Sequence, residues 1–195
     1  SNSKSDIISM ISNSGIISAS RNGIWNDATI TSLTNSGTIR AINHDFAIKN
    51  VGGVIGSLTN SGSITAGRDW AIYNTGTINY ILNTGTISAS NNNIGIYNDG
   101  GIIKTLDNSQ SDLTYKGALP TNYNAIINSP SNYGKITFSD VSGATNFGVH
   151  SSSTLAVGTY GSVTSGLTSG DITSGTSGKH SNSYACTDVI GTTAT

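Results

Sequence analysis

Arg21, His44, Asp45, Arg68 and Asp69 form the best cluster of ionisable side chains in this sequence. They return at similar places in successive segments, so a fold that brought the backbone back on itself would stack them. Carboxylates beside arginine and histidine are the equipment of acid–base cleavage of a sugar chain. A polysaccharide lyase or hydrolase needs several Asp, Glu, Lys or Arg on one face. The plainer reading of the same five residues is a set of salt bridges on a solvated loop.

Other chemistry is thinner. A serine hydrolase is expected to show Gly-x-Ser-x-Gly, or a serine near histidine and aspartate. No Gly-x-Ser-x-Gly occurs, and His44, His150 and His180 are far apart in sequence, which reads as isolated surface or loop histidines. There is no His-Glu-x-x-His, no second cysteine beside Cys186, and no Gly-Gly-x-Gly-x-Asp repeat, so no metal, cofactor or catalytic residue is assigned. A binding surface is better supported. Trp25, Lys49, Tyr73 and Tyr97 each stand between an isoleucine and an asparagine, and Phe46 and Trp70 lie in the adjoining segments. Rings facing outward at strand spacing would contact sugars or another protein, with Arg68 and Asp69 beside them. The alternative is that a neighbouring segment, such as residues 108–195, folds back over them.

What positions these residues is a repeat. Asn-Ser/Thr-Gly-x-Ile begins at Asn13, Asn35, Asn60 and Asn83, and a broken copy begins at Asn108, with intervals of 22, 25, 23 and 25 residues. Reading down the copies gives columns: Ile17, Ile39, Ile64, Ile87; Ala19, Ala41, Ala66, Ala89; Ile24, Ile48, Ile72, Ile96; Ile8, Ile30, Ile55, Ile78, Ile103; and Ile11, Leu33, Leu58, Ile81, Leu106. Apolar and polar residues alternate within each copy, which indicates strands, and the β-branched isoleucines suit them. Glycine and asparagine separate the strands, where the backbone turns or visits positive φ. Stacking at about 4.8 Å would put like residues above one another around an isoleucine interior. Asn35, Asn60 and Asn83, with Asn50, Asn74 and Asn98, would then form two ladders in which aspartate would set like charge upon like charge.

The expected fold is therefore all-β: a right-handed parallel β-helix of about 22–25-residue coils over residues 1–107. Residues 108–195 are expected to form a less regular β part, either a cap or a continuation, with a Ser/Thr/Gly-rich tail. Only 10% of residues are charged, glutamate is absent, and the net charge is −1. That leaves no clustered cations for a nucleic acid. No run of eighteen apolar residues offers a membrane insertion. The chain enters its pattern at Ile8 without a signal peptide, so it is expected to be a processed or excised piece of something longer. Isoleucine, threonine, serine and arginine mix on the columns Ile16, Thr38, Ser63, Thr86 and Ser18, Arg40, Thr65, Ser88, which disfavours a flat ice-binding threonine face.

The Asn-Ser-Gly-x-Ile-x-Ala repeats, with Leu119 to Phe138 after them, resemble the passenger domains of autotransporters. The likeness covers roughly residues 7–170. It implies a β-helix at the outer surface of a Gram-negative bacterium, or secreted from it, and a non-enzymatic adhesive or structural role. The family's C-terminal barrel does not follow, so either it has been removed or the chain is a free secreted relative. Expected partners are host or matrix glycans, or further copies of the chain stacked head to tail through open coil edges into fibres, with a Ser/Thr-rich C-terminal strand adding to the next edge. A glycan-active enzyme is the alternative.

Overall fold

The computed structural model describes residues 6–91, 94–156 and 159–173, and the backbone of 177–180, 182–185 and 193–194. Cys186, residues 1–5 and most of the expected tail lie outside the described residues. The isoleucine columns do what their spacing requires: they wind the chain into a parallel β-solenoid. Each of the first four coils contributes strands of seven, four and three residues. They are β1 Ile7–Asn13, β2 Ile16–Ala19 and β3 Ile24–Asn26; β4 Thr29–Asn35, β5 Thr38–Ala41 and β6 Ile48–Asn50; β7 Val54–Asn60, β8 Ser63–Ala66 and β9 Ile72–Asn74; and β10 Thr77–Asn83, β11 Thr86–Ala89 and β12 Ile96–Asn98. Later coils hold β13 Ile102–Asn108, β14 Leu113–Ala118, β15 Asn122–Ala125, the small antiparallel pair β16 Ile127–Ser129 and β17 Asn132–Tyr133, β18 Ile136–Ser142, β19 Asn146–Val149, β20 Tyr160–Gly161 and β21 Thr164–Ser165.

Three parallel sheets result. Sheet A is β1-β4-β7-β10-β13-β15-β19, sheet B is β2-β5-β8-β11, and sheet C is β3-β6-β9-β12-β14-β18-β21. The pairing follows the sequence columns: Ile17, Ile39, Ile64 and Ile87 are successive partners, as are Ile24, Ile48, Ile72 and Ile96. From the second coil to the fourth these isoleucines are fully buried. Each such burial stabilises the fold by about 1.5–3 kcal/mol.

The motif glycines have a different reason from the expected positive φ. None of Gly15, Gly37, Gly62 and Gly85 has it. A Cβ on Gly62 or Gly85 would lie 2.1 Å from the carbonyl oxygen of the equivalent glycine one coil earlier, so only glycine allows the coils to stack this closely.

The asparagine ladders run through the wall. Asn13 donates Nδ2 to Asn35 Oδ1 at 2.7 Å, Asn35 to Asn60 at 2.8 Å, Asn60 to Asn83 at 2.9 Å and Asn83 to Asn108 at 3.0 Å. The second ladder, Asn26 to Asn50 to Asn74 to Asn98, has 2.7 Å at every step. Asn60 Nδ2 also faces the carbonyls of Gly62 and Thr86, whereas Asn83 Nδ2 donates to the Gln110 side chain. The amide serves as donor and acceptor at once, which a carboxylate cannot do.

Stacking crosses the 107/108 division, because sheets A and C continue through β13 to β21. Strands of residues 108–165 thus extend the same two sheets. Sheet B stops at β11. There the Gln110 side chain accepts from Ile87 N at 2.8 Å and donates to Ile87 O at 3.2 Å, filling the place of the next strand.

Candidate functional site

On the outer face of sheet C the register sets Trp25, Lys49, Tyr73, Tyr97 and Lys116 in one column. Two longer turns, β5 to β6 and β8 to β9, bring Phe46 and Trp70 against it. Phe46 stacks on Trp70 with centroids 5.5 Å apart and on Tyr73 at 4.7 Å. Trp70 stacks on Tyr73 at 5.5 Å and meets the edge of Tyr97 at 4.5 Å. The Lys49 ammonium lies 4.2 Å from the Trp25 ring centre and 5.3 Å from that of Phe46.

Trp25, Lys49, Tyr73, Tyr97, Phe46 and Trp70 are therefore brought together, but not as a row of bare platforms. The rings cover each other's faces, and Phe46 is buried rather than open to solvent. From the residues after 108, Lys116 lies against this face, its ammonium 5.7 Å from the Tyr97 ring centre. What faces outward is ring edges, the Tyr73 and Tyr97 hydroxyls, and the Trp25 indole, which is 43% exposed. Asp99 gathers the two phenols, accepting from Tyr73 at 2.7 Å and from Tyr97 at 3.0 Å. Partial burial, and then the Asp99 contact, push the Tyr73 phenol up to about 12.

The charged cluster also converges. Arg21 Nε meets Asp45 Oδ2 at 2.6 Å, and the Asp45 backbone N–H donates to Asp69 Oδ2 at 2.8 Å. Arg68 Nη1 lies 3.4 Å from His44 Nδ1. Asp45 has φ 61°, a left-handed conformation that aspartate tolerates better than most residues. The Asp45 hydrogen bond and charge raise the Arg21 pKa above its ordinary value. Each carboxylate is answered by a cation or a backbone N–H, the arrangement of a paired loop. Among the described residues no group of three or more His, Cys, Asp or Glu is placed to hold a metal ion.

One grouping was missed by sequence reasoning. His150 is not an isolated histidine: its Nδ1 lies 2.7 Å from Ser152 Oγ and its Nε2 lies 3.4 Å from Asp107 Oδ2. Tyr80 and Asn124 hold the same carboxylate. The available signal was the His150-Ser-Ser152 turn. The partner aspartate comes from another coil and off the repeat, so no column reveals it.

The mixed columns of sheet B stack as their spacing predicts, with Arg40 donating to Ser18 Oγ at 2.9 Å and Ile16 exposed. In comparisons with protein-family models, with curated proteins and with solved structures, nothing matches this chain.

Proposed function

We propose that this chain is the shaft of an adhesive or structural protein, non-enzymatic at its aromatic face, displayed at or secreted from the surface of a Gram-negative bacterium in the manner of an autotransporter passenger. The observation that carries this reading is the aromatic column Phe46, Trp70, Tyr73 and Tyr97, with Trp25 and Lys49, on the outer face of a regular solenoid. Its ligand is a glycan of the host or matrix. Trp25 offers an indole surface, and the phenols, Asp99 and Lys49 offer hydrogen bonds at fixed spacing along the axis. Because the rings brace one another, the face is rigid before it binds, which lowers the entropy lost on binding.

Glycan-array binding tests it. The expected result is a discrete set of bound glycans, with binding weakened at least about tenfold by Trp25→Ala or Tyr97→Ala, a loss of about 1.4 kcal/mol. Unchanged binding in both variants would overturn the glycan reading. Turnover of a bound glycan, lost in Asp45→Asn, would favour the lyase or hydrolase alternative at Arg21, Asp45 and Asp69.

Self-association is part of the same proposal. Copies stacked head to tail would extend the sheets into a fibre. Fibres in electron micrographs are expected; a monodisperse monomer at high concentration counts against it.

A further inference from the structure

Asp107 occupies an outward column of sheet A, beside Leu82 and Asn124, yet it is only 2% exposed. A buried carboxylate needs its hydrogen bonds made. Tyr80 donates its hydroxyl to Oδ2 at 2.5 Å and Asn124 donates Nδ2 to Oδ1 at 2.7 Å. The third neighbour is His150, with Nε2 3.4 Å from Oδ2. For a neutral ring this is a long contact, and catalytic contacts of this kind often tighten only when substrate is bound.

The other ring nitrogen settles the tautomer. The Ser152 backbone N–H donates to His150 Nδ1 at 3.2 Å. A nitrogen that accepts carries a lone pair, so the proton of the neutral ring sits on Nε2, toward Asp107. Ser152 Oγ lies 2.7 Å from that same Nδ1, so in this tautomer its hydroxyl donates to the lone pair that the Ser152 N–H also approaches. Carboxylate, imidazole and hydroxyl follow one another in the order that turns a serine into a nucleophile, with the two ring nitrogens in exchanged places. Ser151 and Ser152 are exposed, so substrate and water reach the hydroxyl from solvent.

We infer that Ser152 is an activated nucleophile, with His150 as its base and Asp107 as the residue that positions the ring, able to accept the acyl group of a small ester. In that reaction Ser152 Oγ bonds to the acyl carbon and its proton passes to His150 Nδ1. The bond to the leaving alcohol breaks as that alcohol takes the proton. Water then attacks the acyl-serine, gives a proton to Nδ1, and releases the acid as Ser152 recovers its own proton. This site lies on sheet A and stands or falls independently of the glycan-binding face on sheet C.

The test is phosphonylation of the full 195-residue chain by a fluorophosphonate, read by peptide mass spectrometry. The Oγ–P bond forms, fluoride leaves, and the proton goes to His150. One adduct on Ser152 is expected, none in Ser152→Ala, and a rate at least about 100-fold lower in His150→Ala. The imidazole ¹⁵N shifts should show Nε2–H in the parent chain and lose that preference in Asp107→Asn. Absence of an adduct, equal labelling of Ser151 and Ser152, or an undiminished rate in folded His150→Ala would overturn the assignment. If His150→Ala does not fold, the selectivity of the parent chain for Ser152 over Ser151 decides.

Discussion

The column that reads Ile24, Ile48, Ile72, Ile96 in the first four coils continues as Tyr115 and Phe138 in the next two. The column that ends in Leu106 continues as Tyr123 and Phe147. Regular and irregular regions thus share two sheets and fill the interior differently. Where sheet B walls the coil, isoleucine suffices. Where sheet B has stopped, larger rings occupy the space, with Tyr115 and Phe138 5.4 Å apart and Tyr123 and Phe138 at 6.0 Å. The polar ladders end at the same level: Asn98 passes its hydrogen bond to Ala118 O, and Asn108 to Gln110 O. Repetition holds the first region together, and individual side-chain solutions hold the second.

Substitutions in each region sharpen that contrast. The largest loss is expected from Asn60→Asp. The new carboxylate still accepts from Asn35, but it confronts the Asn83, Gly62 and Thr86 oxygens in a fully buried place. Urea unfolding at neutral pH should show about 3–5 kcal/mol of destabilisation. Tyr123→Ala leaves a cavity at a fully buried place in the irregular region and should cost about 3–5 kcal/mol.

Tyr123→Phe should cost nothing and gain up to about 1 kcal/mol. The buried hydroxyl has no hydrogen-bond partner, since its neighbour Asn108 is outside bonding geometry. Equal losses in the Ala and Phe variants would break the account of ring packing.

Gln110→Ala separates the regions. It should cost about 1–3 kcal/mol and speed amide exchange at Ile87, whose N–H the side chain now covers.

The smallest effect is alkaline. The folded Tyr73 phenol is pushed up to about 12, above its ordinary value near 10. Its contribution is fully present below about pH 10, and it is lost as pH rises through 12, because the unfolded chain releases the proton first. Tyr73→Phe should flatten this part of the stability profile.

The regular region was legible because each repeat supplied independent copies of the same instruction. Five residues in the Ile8 column and five in the Asn13 column fixed both the strands and their register. The outer aromatic column was legible too, since Trp25, Lys49 and Tyr73 sit between residues that must face inward. Mutual stacking of the rings was not, because Phe46 and Trp70 come from turns of variable length. Residues after 108 offered one copy of each solution. Nothing in the letters says that Gln110 stands in for a strand, that Asp107 is buried at an outward position, or that His150 meets it from two coils away.

The central claim is that residues one repeat apart lie directly above one another. Ser32 and Ser57 are such a pair, with hydroxyls 3.3 Å apart. In a Cys186→Ser background, Ser32→Cys with Ser57→Cys should form a disulfide on mild oxidation and remain folded, whereas Ser32→Cys with Tyr80→Cys, two coils apart, should not. A disulfide in the second pair and none in the first would contradict the stacked solenoid.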